Sequence, residues 1–161
     1  MTLEKKKITV ETLSDPIIKD KKYKIGIIHA TPPSSSIAKY GLFKQVKFYK
    51  QAADTRHEKP WAVITEDLRK GDIDIGVIWG PYAGYEAKIS KLPIKLIPLI
   101  KEEKISRGKM VYRFTMGIRK NEPEWEKTIN NLIKENQKEI NQILKEYGVP
   151  LLDKLGQPLK N

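Results

Sequence analysis

Residues 71–89, GDIDIGVIWGPYAGYEAKI, join a short apolar run to the beginning of an amphipathic segment. Ile73 to Trp79 is rich in β-branched residues, which predicts a strand that is buried on both faces. The period then changes, because Pro81 suits the first turn of a helix and Tyr82 and Tyr85 begin a spacing of three and four. The stretch therefore predicts a strand that leads directly into a helix.

The same alternation of strand and helix extends to both sides of this stretch. A loop at Thr31 to Ser36 opens a short helix that Gly41 closes, and a second helix starts at Pro60 and ends before Gly71. The further strand candidates are Tyr23–His29, Gln45–Tyr49 and Ile94–Leu99. Such alternation predicts an α/β fold with a mainly parallel sheet that is covered by helices on both sides.

The last third of the chain follows a different pattern. Beyond a charged loop at Lys101 to Lys109, Tyr112 to Arg119 alternates apolar and polar residues, which predicts a half-exposed strand. A long helix that ends at Gly148 is predicted next, followed by a loosely held tail from Asp153. The apolar stripe of this long helix is Trp125, Ile129, Leu132, Ile133, Ile140 and Leu144. We expect part of this stripe to stay uncovered, which predicts a homo-oligomer formed through the helix face.

Composition limits the function only broadly. The 161 residues have a formal net charge of +11, so nucleic acid, an anionic membrane and an acidic protein would all be attracted. There is no cysteine, which excludes thiolate metal sites and c-type haem attachment within the chain. No apolar segment follows the basic start, and no run approaches the roughly 18 apolar residues of a membrane span. The expectation is a soluble domain with no metal site.

No catalytic motif is present, so the candidate residues are those of a binding cleft. Ligands of open α/β sheets meet the carboxyl ends of strands, which selects His29, Trp79, Gly80 and Tyr82. Ser34, Ser35 and Ser36 open a helix whose N–H groups suit an anion, although ordinary helix capping explains them equally well. Aromatic residues such as Trp79 and Tyr82 are core residues by default. His29 suits a structural role as well as a cleft.

Four segments of the sequence carry a family resemblance. They are Thr31-Pro32-Pro33, the run VIWGPYAGY at 77–85, TMGIR at 115–119 and YGVP at 147–150. With them the chain resembles type 2 periplasmic solute-binding proteins from about Ile8 to Asp153. Within that superfamily it is most similar to the J proteins that are encoded with PQQ-dependent methanol dehydrogenases and their c-type cytochrome.

The resemblance implies the domain organisation. Residues 1–22 would be a lead-in or hinge segment, and 23–110 would be the second lobe of a solute-binding fold. Residues 111–161 would be a hinge strand, long helix and tail that belong to an incomplete first lobe. His29, Thr31, the three serines and the turn from Trp79 to Tyr85 would line a cleft wall. Amino-acid binders of the superfamily place a carboxylate near Gly80 and Pro81, and this chain has none there.

The resemblance also implies a function. It is that of a periplasmic, non-enzymatic module that contacts a PQQ methanol dehydrogenase or a c-type cytochrome in the electron-transfer chain of methanol oxidation. No cofactor is expected in this chain, since PQQ or haem would belong to a partner or to a missing fused segment. A ligand-binding subunit of an ABC importer for amino acids or small acids is the alternative. A nucleic-acid binder is the least favoured class, because no reading motif accompanies the charge.

Overall fold

The computed structural model of the protein describes residues 1–52, 54–102, 110–153, 157 and 159. Within these residues the strands β1 to β5 are Thr2–Leu3, Ile25–Ile28, Val46–Tyr49, Ile75–Val77 and Ile94–Lys95. The helices α1 to α6 are Pro16–Asp20, Pro33–Lys39, Pro60–Lys70, Gly80–Ile89, Pro123–Glu135 and Gln137–Glu146. Short 3₁₀ turns lie at Glu4–Lys6 and Phe43–Gln45. None of the helices in these ranges is long and apolar enough to cross a membrane.

A parallel sheet forms the centre of the molecule. Strand β2 lies between β3 and β4 and is parallel to both, with Ile25 opposite Val46 on one side and Ile75 on the other. Side chains of β2 and β4 are buried along nearly their whole length, as expected for parallel strands that are covered on both faces. The predicted α/β class with a parallel sheet is confirmed.

Two apolar clusters cover the sheet, and the pleat explains their composition. Ile25, Ile27 and Val77 belong to one cluster, whereas β-carbons added at Gly26 and Gly76 would lie 2.7 Å from Ile73 and 2.8 Å from Ile64, in the other cluster. Glycine on that face lets helix α3 lie close to the sheet. The α3 boundaries agree with the sequence prediction, since the helix starts at Pro60 and ends before Gly71, at a φ of +83°.

The strand predicted at Ile94–Leu99 is only partly confirmed. Strand β5 covers Ile94–Lys95 and pairs antiparallel with β1, in a separate two-stranded sheet. The free edge of β4 is occupied by the first residue of the chain, because Met1 and Gly76 exchange two hydrogen bonds of 2.8 and 2.9 Å. Strand β5, which follows α4, therefore pairs with β1 and cannot pair with β4 to extend the parallel sheet.

The N-terminal segment packs into the cores of the sheet. Six apolar side chains of residues 1–22 are buried, namely Met1, Leu3, Ile8, Val10, Leu13 and Ile18. The boundaries at 1–22, 23–110 and 111–161 stay a prediction, but the lead-in contributes core volume that the sequence pattern did not indicate. We call residues 1–102 the sheet region.

The strand predicted at Tyr112–Arg119 is not formed. Residues 110–120, here the connecting segment, have no regular secondary structure, and residues 111–120 are exposed. In the described part of the chain no backbone hydrogen bond joins residues 111–119 to another segment, and a strand cannot form without a neighbour. The side chains alternate as in a strand, but none of the described residues supplies a partner strand.

The predicted long helix is two helices, α5 and α6, which meet at Asn136. The side-chain amide of Asn136 donates a 2.8 Å hydrogen bond to the Leu132 carbonyl and satisfies the end of α5. Neither helix has a buried residue, and Trp125 is 50% exposed. We call residues 123–150 the C-terminal arm. Most of the predicted charged loop, at 103–109, and most of the predicted tail, at 154–156, 158 and 160–161, lie outside the described residues.

Candidate functional site

The carboxyl ends of β2, β3 and β4 lie along one edge of the sheet because the three strands are parallel. His29 follows β2, Tyr49 ends β3, and Trp79 follows β4. The backbone N–H of His29 donates a 2.8 Å hydrogen bond to the Tyr49 carbonyl, which extends the ladder one residue past the strand. This edge therefore contains two of the predicted cleft residues, His29 and Trp79.

An open groove begins at His29. Its imidazole packs edge to face on Phe48, with ring centroids 5.9 Å apart, and Phe48 in turn lies 6.4 Å from Phe43. Both phenylalanines are exposed, at 40% and 57%. The groove has a volume of about 440 Å³ and is lined by His29, Phe48, Tyr49, Lys50 and Gln51. We call it the His29 groove; its aromatic members on β3 were not predicted, because Phe48 looked like an ordinary strand residue.

A second group of aromatic rings surrounds the turn after β4. Tyr82 stacks on Trp61 with ring centroids 3.9 Å apart and planes at 12°, and Trp79 meets Tyr82 edge on at 5.1 Å. The exposed Phe114 lies 5.6 Å from Trp79. Trp61 is buried and Trp79 is 43% exposed, so the row leads from the core to the surface. We call these four residues the aromatic cluster; no ring contact among the described residues joins it to the His29 groove.

Gly80 and Tyr85 face the C-terminal arm. Tyr85 stacks on Tyr147 with centroids 6.4 Å apart, and a β-carbon at Gly80 would lie 3.0 Å from Pro150. Gly84, on the same helix, is in direct backbone contact with the arm, since a β-carbon there would be 1.8 Å from the Gly148 carbonyl oxygen. The helix face that the sequence assigned to a cleft wall thus holds the arm in place.

The serine segment is occupied by local hydrogen bonds. The amides of Ser34 and Ser35 donate to the carbonyls of Thr31 and Pro32 at 2.9 and 3.2 Å, so the first-turn donors are already paired. The Thr31 hydroxyl donates to the Ile28 carbonyl at 2.6 Å. The Ser34 hydroxyl oxygen is buried without a hydrogen-bond partner in the described part of the chain. Their role in binding stays a prediction.

Ser36 belongs to a carboxylate network that the sequence did not reveal. Its fully buried hydroxyl donates to Glu102 at 3.3 Å. The same carboxylate accepts hydrogen bonds from the Tyr40 hydroxyl at 2.7 Å, the Leu13 amide at 2.7 Å and the Thr12 hydroxyl at 3.0 Å. Glu102 therefore ties the N-terminal segment to α2. Nothing in the spacing of these residues could have indicated it, because they lie up to 90 positions apart.

A second carboxylate network lies between α3 and the edge strand β3, around the buried Asp67. Asp67 accepts hydrogen bonds from the Lys47 ammonium, at 2.6 Å, and from the Tyr49 hydroxyl. Burial alone would raise the pKa of Asp67, but the hydrogen bonds from Lys47 and Tyr49 outweigh it and the pKa is lowered. Burial and the same carboxylate raise the pKa of Tyr49. Lys47 is therefore engaged, in contrast to the neighbouring Lys44 and Lys50.

Glu86 on α4 is buried, and its ionisation makes the stability of the fold depend on pH. Burial raises the pKa of Glu86, although Thr65 and Lys59 oppose the shift. The folded protein therefore binds the Glu86 proton more tightly than the unfolded chain does. The ionised carboxylate lowers the stability of the fold once the pH exceeds the pKa of Glu86 in both the folded and the unfolded state. We expect Glu86→Gln to raise the melting temperature at pH 7 and to lose that advantage near pH 4. Thermal unfolding across this range, with Glu66→Gln as an exposed control, measures the difference; a lower melting temperature at pH 7 would contradict it.

The described residues contain no group of three or more histidines, aspartates or glutamates that could hold a metal ion. The arrangement at the sheet edge is suited to contact, since exposed aromatic rings lie beside the open His29 groove. Aromatic side chains are enriched at protein interfaces.

The fold is that of a periplasmic binding protein. The chain aligns with the crystal structure of periplasmic binding protein XoxJ from Methylobacterium extorquens AM1 at a TM-score of 0.72 and 31% sequence identity, over 90% of this chain and 63% of that chain. It is also similar to Protein MoxJ of Methylorubrum extorquens, at 24% identity over an alignment of 163 positions that covers 94% of this chain and 54% of MoxJ. No family model matches.

These similarities confirm the resemblance to the J-type periplasmic binding proteins that the four motifs indicated. The chain is MoxJ-like over nearly all of its length, and it spans little more than half of MoxJ and less than two thirds of XoxJ.

Proposed function

We propose that the chain acts as a non-catalytic, periplasmic accessory module of methanol oxidation, and that it works by contacting a protein. The partner would be a PQQ methanol dehydrogenase, its c-type cytochrome, or both, and PQQ or haem would belong to the partner. In this proposal residues 23–110 form the second lobe of a solute-binding fold, and 111–161 return toward a first lobe. The proposal goes beyond the similarity to MoxJ and XoxJ.

The observation that supports protein contact best is the shape and chemistry of the sheet edge. The predicted cleft residues do not converge on one enclosed pocket, since His29 lies in an open groove and Tyr82 belongs to a row of stacked rings. A small-solute site normally buries most of its ligand in a concave pocket with a few convergent polar groups. Exposed aromatic rings suit a macromolecular surface better.

The lysines beside the His29 groove favour a partner with an acidic surface. Lys44 and Lys50 flank Phe43 and Phe48, whereas Lys47 is paired with Asp67. With a net charge of +11, the chain would meet an acidic partner faster than a neutral one. We expect this acceleration to decline as ionic strength passes about 0.1 M, where the screening length is about 10 Å.

The test measures the association rate of the whole chain with purified methanol dehydrogenase and with its cytochrome, at low and high salt. Lys44→Glu with Lys50→Glu should slow association several-fold at low salt. Lys19→Glu with Lys21→Glu alters net charge equally at another exposed site and is the matched control. If both pairs slow association equally, the His29 groove is not the contact surface.

Three results would overturn the proposal in whole or in part. A rate that is the same at low and high salt would remove its electrostatic component. Tight one-to-one binding of a free amino acid or small acid, seen as a rise in melting temperature in a ligand panel, would favour the importer alternative. Absence of binding to both proteins would reject the partner assignment.

A further inference from the structure

The connecting segment has a strand pattern without a strand partner. Tyr112, Phe114, Met116 and Ile118 alternate with polar residues and are exposed, at 50%, 69%, 63% and 36%. An unpaired segment of this composition is a template for another strand. Helices α5 and α6, which follow it, also have no buried residue and keep an apolar stripe in solvent.

We propose that the connecting segment pairs antiparallel with the same segment of a second copy of this chain, around a two-fold axis at Thr115. In this register Tyr112 lies opposite Ile118, and Phe114 lies opposite Met116. Tyr112, Phe114, Met116 and Ile118 of both copies then fall on one face of the new ribbon, because the two members of each pair have the same parity. A register shifted by one residue would place apolar side chains opposite polar ones.

The polar face also fits this register. Arg113 lies opposite Gly117, and Thr115 lies opposite its own copy, so no two arginines face each other. An axis at Met116 would instead set Arg113 opposite Arg119, and like charges directly opposite are destabilising. The sequence of the segment is therefore self-complementary in side-chain size and in charge.

The charge distribution permits the approach of two copies. Between residues 110 and 150, basic and acidic side chains nearly balance, at seven and six. The excess positive charge of the chain lies mainly outside this part, so the C-terminal arms can meet without strong repulsion. The apolar stripe of each arm, with Trp125 and Leu132, is then available to cover the apolar face of the ribbon.

A single cysteine can report this register, because the chain has no cysteine of its own. Residues directly opposite in antiparallel strands have β-carbons about 4.5–5.5 Å apart, close to the separation that a disulfide needs. We expect Thr115→Cys to give a covalent dimer under mild oxidation at micromolar concentration. Gly117→Cys, two positions away on the same face and opposite Arg113 in the dimer, should cross-link at least tenfold more slowly.

Solution mass gives an independent measurement on the same chain. We expect twice the chain mass at tens of micromolar, and the monomer mass after Thr115→Pro, because proline removes a backbone donor and blocks pairing at an exposed site. A monomer in the unmodified chain, a dimer that survives Thr115→Pro, or faster cross-linking through Gly117→Cys would each overturn the proposal. None of these results would bear on the partner assigned above.

Discussion

Gly84→Ala is expected to release the C-terminal arm from the sheet region. A β-carbon at this position would lie 1.8 Å from the Gly148 carbonyl oxygen and 2.5 Å from its carbon, and both are backbone atoms that cannot rotate away. Overpacking of this kind costs about 1–3 kcal/mol. Intrinsic helix propensity would favour alanine over glycine by about 1 kcal/mol, so any loss must come from the contact.

The junction has little else to hold it. Besides the Gly84 contact, the described residues join the arm to α4 by Tyr147 stacked on Tyr85, by Pro150 beside Gly80 and by the Lys88 ammonium, which donates to the Glu146 carbonyl. Once released, α5 and α6 are short enough to be marginal helices in water. We therefore expect amide hydrogen exchange in residues 123–150 to accelerate at least tenfold.

Gly117→Ala is the matched control for this variant. A β-carbon at Gly117 would meet no atom within 4 Å, so exchange in the arm should not change. Exchange in β2 and β4 should remain slow in both variants because their core does not depend on the arm. If Gly84→Ala leaves the arm as protected as in the unmodified chain, the backbone contact is not what holds it.

Asp67→Asn is expected to lower the free energy of unfolding by about 1–3 kcal/mol at neutral pH, because a buried hydrogen-bonded charge is lost and the partners keep only a weaker acceptor. The Asp67 side chain is 9% exposed and Lys47 is 51% exposed, so solvent screens part of the ion pair and the hydroxyl of Tyr49 contributes much of the effect. Chemical denaturation at pH 7 measures the loss.

The same substitution should change how the free energy of unfolding depends on pH in the acidic range. The pKa of Asp67 is lowered in the folded protein, so its contribution is complete above the ordinary carboxyl value, about 4, and is lost as the pH falls through the folded value. The unmodified chain and Asp67→Asn should therefore converge in stability at low pH. Glu66→Gln, which removes an exposed ion pair with Arg69, should have a small effect; an equal loss for both would contradict a special role for Asp67.

Most of the sheet region could be predicted from local pattern. Pro60 and Gly71 bound α3, and the apolar run before Trp79 became a buried strand, because both signals depend on neighbouring residues in the chain. Of the strand predicted at Ile94–Leu99, only two residues form a strand, because Met1 occupies the edge of β4. No local pattern can show that one segment occupies an edge that another would need.

The candidate site was predicted in part. His29, Trp79 and Tyr82 do lie at the carboxyl edge of the parallel strands, as the topological rule requires. The rings that complete their environment, Phe48 and Trp61, were assigned to a strand and to a helix core, and both assignments are correct without revealing the contact. Which aromatic rings meet depends on helix packing, and sequence spacing does not specify that.

By itself the sequence determined the α/β class, the bounds of α3, the start of α4, the strand-like alternation from Tyr112 to Arg119 and the resemblance to J-type binding proteins. These features follow from backbone preference and hydrophobic period, which act over a few residues. Tertiary structure alone decided that Asp67 and Glu102 accept hydrogen bonds from distant parts of the chain and that Gly84 meets Gly148. It also decided that Tyr112 to Arg119 is not a strand in the single chain, because a strand needs a second segment to pair with and none among the described residues does so.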